Sequence, residues 1–246
     1  MAEQFQVFSN KDYSHPAEKR IFPRFPFAFL FFRTKIQKSD LTCHVLDISL
    51  DGMQIEMTTD EVELRSGQDS QGEIHWLGES LLVKGKIKWV FQKRAGIEFQ
   101  LDEKNKIMLE KLLAAEAISK QFKPIHDILP KIRPDFELPQ GLFLWLRAEG
   151  PFEIFAWKNN NEIYRFQILM LNQFVEWRQD SDRLTGQIQF RRESELPLTL
   201  EKECLFVFDP RPNQTLINKA KDLIIPINQQ ILPRETQNFF IEKLGK

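Results

Sequence analysis

The segment L-L-V-K-G-K-I-K-W-V, Leu81 to Val90, repeats its apolar residues at a period of two, which a helix cannot use. Val83, Ile87 and Trp89 share one parity with Gly85 and are expected on one face of a strand. The same signature recurs nearby. Leu41 to Asp47 reads as a strand, G-M-Q-I-E-M (Gly52 to Met57) alternates, E-I-H-W-L (Glu73 to Leu77) precedes the long segment, and Gly96-Ile97-Glu98-Phe99 follows it. Several short strands so closely spaced predict a small antiparallel β-barrel. The chain holds 22 Phe against 10 Gly, a balance that favours β-structure with well-filled cores.

The most apolar run is F-P-F-A-F-L-F-F, Phe25 to Phe32. It is far shorter than the ~20 residues of a membrane helix. Arg24 and Arg33 flank it, and it reads as a buried strand with Phe25, Phe27, Phe29 and Phe31 on one face, either filling the barrel core or packing in part against the second half or a partner. After the strands a helix is expected, capped by Asp102, with Ile107, Leu109, Leu112, Leu113 and Ala117 as its apolar stripe. Pro124, Pro130, Pro134 and Pro139 then predict a linker over residues 122–139 without a helix. Beyond it, G-L-F-L-W-L-R, F-E-I-F-A-W, E-I-Y-R-F-Q-I-L-M-L, F-V-E-W-R, L-T-G-Q-I-Q-F-R and C-L-F-V-F read as strands, with E-G-P and N-N-N as turns between the first three. Helices are expected around Thr215 to Leu223 and Glu235 to Leu244. The division is a polar tail (1–16), a barrel domain with its helix (17–121), the linker (122–139) and a β-rich domain with terminal helices (140–246). The fold class is mainly β.

At 246 residues the length suits two domains. Lys and Arg number 34 against 35 Asp and Glu, so no global field draws the chain to nucleic acid or to an anionic membrane. Any anion recognition must be local. Cys43 and Cys204 lie far apart, form no metal-ligand spacing and no disulfide framework, and fit a reducing compartment. No signal peptide is evident, and the expected location is cytoplasmic. His15, His44, His75 and His126 fall at no metal spacing, and no phosphate-loop, nucleophile-elbow or zinc-protease motif is present. No catalytic residue, metal or cofactor is expected.

Two motifs carry recognition chemistry. Arg20 and Arg24 stand four apart in K-R-I-F-P-R, and Asp47, Ser49 and Gly52 follow in D-I-S-L-D-G. Alone, each is ordinary: two surface arginines are usually solvated, and an Asp or Ser before a turn often caps it. Together, in this order with an apolar segment between, they make a cage for an anionic, guanine-bearing ligand. The arginine fork matches guanine O6 and N7, as in DNA major grooves. A carboxylate at Asp47 accepts from N1–H and N2–H₂, Ser49 donates to an oxygen, and Gly52 is expected to permit positive φ.

The motif pair, with Trp89, Gly96 and Phe99 in W-V-F-Q-K-R-A-G-I-E-F after it, resembles the PilZ domain family over about residues 17–115. The resemblance implies a bacterial, non-enzymatic receptor for cyclic di-GMP. Its ligand residues would be Arg20, Arg24, Asp47, Ser49 and Gly52, with Lys19 as a further basic residue that keeps the charge but lacks the fork. It also implies an N-terminal arm that folds over the ligand and a protein partner for the altered surface. A nucleotide-independent adaptor of the same fold is the alternative. The second half is not recognised as a member of a family. L-T-G-Q-I-Q-F echoes L-L-V-K-G-K-I-K-W, aligning Gly186 with Gly85. A degenerate second PilZ-like barrel, or the ordinary recurrence of an alternating strand, would each explain the echo. The aromatic residues Trp145, Trp157, Trp177, Phe143 and Phe155 of this half are read as core rather than as a groove.

Overall fold

A computed structural model describes residues 7–8, 17–23, 30–36, 39–58, 63–76, 78–132, 138–149, 152–190 and 201–245. Strands β1 (Val7–Phe8) and β2 (Ala17–Pro23) come first. Six strands then close on themselves: β3 (Leu30–Ile36), β4 (Ser39–Ile48), β5 (Gly52–Met57), β6 (Asp69–Trp76), β7 (Glu79–Phe91) and β8 (Arg94–Phe99), in the order β3-β4-β5-β8-β7-β6. β3 also pairs with β6, so this barrel has no free edge. Alternation fills its interior. Ser70, Gly72, Ile74 and Trp76 of β6 are buried while the residues between them are exposed, and Leu81, Val83, Gly85 and Ile87 of β7 repeat the pattern.

In β3 the buried side chains are Phe32 and Thr34, whereas Arg33 is exposed. The interior parity at positions 32–34 is even; Phe25, Phe27 and Phe29 of the expected Phe face lie outside the described residues. Cys43 is fully buried among these barrel residues, and burial pushes its thiol up to about 12.

Helix α1 (Glu103–Leu113) starts as predicted: the Asp102 carboxylate accepts from the Asn105 backbone N–H at 2.8 Å. It packs against β7 and buries Leu109 and Leu112, but Ile107 is 57% exposed and does not join the stripe. The chain turns extended at Ala114 before a short α2 (Ala115–Ser119), so Ala117 sits on a second helix.

Two strand residues, β9 (Lys123–Pro124), lead into α3 (Ile125–Ile132), a helix inside the stretch expected to be a linker. Pro130 removes one intrahelical bond, at a cost of about 3 kcal/mol. Ile125 and Leu129 are buried in the core beneath, and burying each is worth about 1.5–3 kcal/mol, enough to offset the proline.

The remaining strands are β10 (Leu142–Ala148), β11 (Phe152–Asn159), β12 (Glu162–Met170), β13 (Gln173–Arg178), β14 (Ser181–Phe190) and β15 (Glu201–Phe208). Asn160 and Asn161 both take positive φ in the β11–β12 turn, the geometry the N-N-N signal announces. Helices α4 (Gln214–Ile224) and α5 (Arg234–Gly245) close the chain.

These strands form one antiparallel sheet ordered β1-β2-β15-β14-β13-β12-β11-β10-β9. It is a nine-stranded sheet with two ends rather than a second closed six-stranded barrel, so the Gly85–Gly186 echo reflects strand alternation. One face packs Trp145, Phe155, Trp157, Phe174 and Phe206 with α3. On the other, Phe166 meets Phe240 of α5 at 4.4 Å between ring centroids. Because both faces are covered, the strands are nearly continuously apolar. One polar cluster is built into this sheet: the Glu176 carboxylate, fully buried, accepts from Arg165 Nε at 2.9 Å, from Gln167 Nε2 at 2.9 Å and from Arg178 Nε.

The compact units are Phe29–Ile118 and, separately, Met1–Ala28 with Ser119–Lys246. The linear division read from the sequence placed residue 17 with the barrel. The structure instead pairs β2 with β15 along its whole length, from Ala17 opposite Val207 to Pro23 opposite Glu201.

Candidate functional site

The D-I-S-L-D-G motif forms the link from β4 to β5. Ser49 N–H donates to the Gly52 carbonyl at 2.8 Å, closing a tight turn. The Ser49 hydroxyl is exposed; it donates to the same carbonyl and accepts from the Asp51 N–H, both at 3.3 Å. Contacts of that length are weak, so the hydroxyl can be redirected to a ligand oxygen at small cost.

Gly52 serves a different purpose from the one expected. The positive-φ glycines among the described residues are Gly67, Gly78 and Gly141. At Gly52 a Cβ would overlap the carbonyl oxygen of Ile97 and lie 3.4 Å from its carbonyl carbon. The glycine is needed because β8 approaches closely.

A β-bulge sets the direction of Asp47. Val45 pairs with Ile55, and the register then shifts so that Asp47 pairs with Gln54. Ile55 and Met53 are interior, so position 54, and Asp47 with it, face outward. Leu46, the extra residue, is buried. Bulges commonly re-aim side chains in this way next to binding sites.

A second bulge does the same for Trp89. Ile87 pairs with Ile97, the register shifts, and Trp89 pairs with Gly96. The sequence alternation placed Trp89 inward with Val83 and Ile87; the structure turns it outward, 42% exposed. Its indole lies over Gly96, where a Cβ would overlap Nε1 and sit 2.9 Å from Cδ1. Trp89 therefore faces the barrel exterior, away from the Val83 and Ile87 face on which the alternation groups it. The even spacing of V-K-G-K-I-K-W carries no sign of the bulge, which depends on how two strands align.

The registers of four strands place Asp47, Gln54, Gly96 and Trp89 in one row across the barrel exterior. Lys88, released by the second bulge, pairs with Glu98 at 2.9 Å beside it.

Of the arginine motif, the backbone of Lys19 and Arg20 is described. Lys19 and Arg20 lie in β2, opposite Leu205 and Cys204 of β15. Arg24 lies outside the described residues. The structure thus brings together Asp47, Ser49 and Gly52 in one turn of the barrel, and puts Lys19 and Arg20 on a strand of the other unit's sheet. Among the described residues no cluster of three or more His, Cys, Asp or Glu side chains could hold a metal ion, and no helix is long and apolar enough to cross a membrane.

Residues 18–115 match the PilZ domain family. No curated protein sequence matches the chain. Among solved structures, the chain is similar to the PilZ domain of CeSA from a cellulose synthesizing bacterium, at 14% identity and a TM-score of 0.30, covering 38% of this chain and 93% of that one. It is also similar to the Bacillus subtilis Inhibitor of motility (MotI/DgrA), at 10% identity and a TM-score of 0.25, covering 85% of this chain and 99% of that one. The match to the PilZ domain family spans the closed six-stranded barrel, the helix that follows it and the strand that carries Lys19 and Arg20.

Proposed function

We propose that the protein is a non-enzymatic receptor for cyclic di-GMP, which binds through Arg20, Arg24, Asp47, Ser49 and Gly52, with Lys19 adding charge. The observation that carries the reading is the bulge at Val45/Asp47, which turns a carboxylate outward beside the exposed Ser49 hydroxyl within a PilZ barrel. An arginine fork takes the O6/N7 edge of guanine, Asp47 accepts from N1–H and N2–H₂, and Ser49 donates to a ligand oxygen. The exposed face of the Trp89 indole supports the reading, because a purine stacks there without displacing protein.

The proposed output runs through β2. Lys19 and Arg20 are part of a strand laddered to β15, so engaging them acts on the sheet of the other unit and, through it, on a protein partner. A nucleotide-independent adaptor is the competing reading, favoured by Phe91, 67% exposed at the end of β7.

Calorimetric titration of the full chain with cyclic di-GMP tests the proposal. The wild type should bind, and Asp47→Ala and Arg20→Ala should each lose about 1.5–3 kcal/mol of affinity, the worth of a charge-assisted contact. A wild type that takes up no ligand, yet still captures its partner, leaves the adaptor reading standing instead.

A further inference from the structure

The row across the barrel exterior contains a polar side chain that neither motif includes. Gln54 stands between Asp47 on β4 and Gly96 on β8. Neighbouring strands are about 4.8 Å apart, so adjacent members of the row are within side-chain reach of one another. Gly96 has no side chain, and the Trp89 indole occupies its place. The neighbour of Gln54 on that side is therefore the edge of an aromatic platform, and on the other side a carboxylate.

Gln54 is half buried, and its amide makes none of the side-chain hydrogen bonds found among the described residues. Other outward polar residues nearby are engaged: Glu56, two positions along the same strand, accepts from Arg94 Nε at 3.4 Å, and Glu98 pairs with Lys88. A carboxamide carries two N–H donors and an acceptor oxygen. Held at the rim of a stacking surface, it meets the edge of any base laid on the indole.

We propose that Gln54 is a base-reading residue of the site, donating from its amide to guanine O6. This rests on the cyclic di-GMP reading above and deepens it. With Asp47 accepting from N1–H and N2–H₂, the next atom along the same edge is O6, an acceptor, and the next residue along the row is Gln54. The second lone pair of O6 stays available to an arginine on the N7 side. Adenine presents the reverse order: its N1 lone pair would face the Asp47 carboxylate, and its exocyclic amine would face the Gln54 donor. Asp47 sets the polarity of the edge and Gln54 completes it.

The test titrates the wild type, Gln54→Leu and Gln54→Glu with cyclic di-GMP and with cyclic di-AMP, and records thermal unfolding of each. Gln54→Leu keeps the bulk and removes the donor; it should weaken cyclic di-GMP about tenfold and leave cyclic di-AMP binding unchanged. Gln54→Glu sets a carboxylate against O6 and should weaken cyclic di-GMP further. Both variants should unfold with the wild type, because position 54 faces outward. A Gln54→Leu affinity for cyclic di-GMP within about twofold of wild type overturns the assignment of Gln54 and leaves the receptor standing. Failure of the wild type to bind cyclic di-GMP overturns the receptor reading, and the role of Gln54 with it.

Discussion

The indole of Trp89 lies on the backbone of Gly96, close enough that a Cβ at position 96 would overlap its Nε1. Gly96→Ala therefore tests the platform without touching any hydrogen-bonding group of the site. The indole must swing off, and since Trp89 is already 42% exposed, the fold should tolerate the change with a loss of about 1–2 kcal/mol. The affinity for cyclic di-GMP should fall much as it does in Trp89→Ala, by the ~1–3 kcal/mol of one base–aromatic stack. Calorimetry and thermal unfolding on both variants check this; a Gly96→Ala protein that binds like the wild type would remove Trp89 from the site.

Lys19 and Arg20 are neighbours in sequence but occupy consecutive rungs of the β2–β15 ladder, opposite Leu205 and Cys204. Only arginine has the planar fork that matches the guanine O6/N7 edge, whereas lysine offers a point charge. Arg20→Ala should cost about 1.5–3 kcal/mol of ligand binding, and Lys19→Ala less than about 1 kcal/mol, as for a solvated charge. Equal losses in a titration would mean that the Arg20 fork adds nothing beyond its charge.

Much of the barrel was readable because its strands obey the period-two rule: Gly52–Met57 emerges with the bounds read from sequence, and Asp102 caps α1 as expected. What escaped was set by partners rather than by pattern. Trp89 and Asp47 point outward because of bulges, and a bulge depends on how two strands align, which neither strand records. β2 could not be assigned to β15, because their ladder joins Arg20 to Cys204 across most of the chain. Helix α3 defied its proline because the cost at Pro130 is local whereas the gain at Ile125 and Leu129 lies in a core built by β10 to β15. Gly52 looked like a turn glycine, and the reason for it is the Ile97 carbonyl on another strand.

Cys43 gives the barrel a pH dependence of known sign. Burial raises its thiol from 9.0 to about 12, so the folded state keeps the proton after the unfolded chain has lost it. Its contribution is intact below pH 9 and declines as pH rises through the window to about 12, at up to about 1.4 kcal/mol per unit. Lysines and tyrosines also titrate there, so the readout is a difference. Cys43→Ala should be less stable than wild type at pH 7 by about 1 kcal/mol for the lost volume, and should lose stability less steeply above pH 9. Denaturant unfolding at stepped pH measures both; parallel slopes would show that the thiol ionises in the folded protein.

Glu176 is a point at which the sheet of the second unit is vulnerable to a single change. Its carboxylate is fully buried and bonded to Arg165, Gln167 and Arg178, and the Arg165 guanidinium in turn lies 4.4 Å over the Trp157 ring. Replacing a buried ion pair entirely can be neutral, but removing one partner leaves charge that the interior cannot solvate. Glu176→Ala should cost about 3–5 kcal/mol, and Glu176→Gln, which keeps an acceptor and loses the charge, less. Because the Glu176 carboxylate is shielded from water, the loss should change less with added salt than that of an exposed pair such as Arg65–Glu63. Denaturant unfolding of the full chain at low and high salt separates the two cases: a Glu176→Ala loss that vanishes in salt would place the carboxylate in contact with solvent.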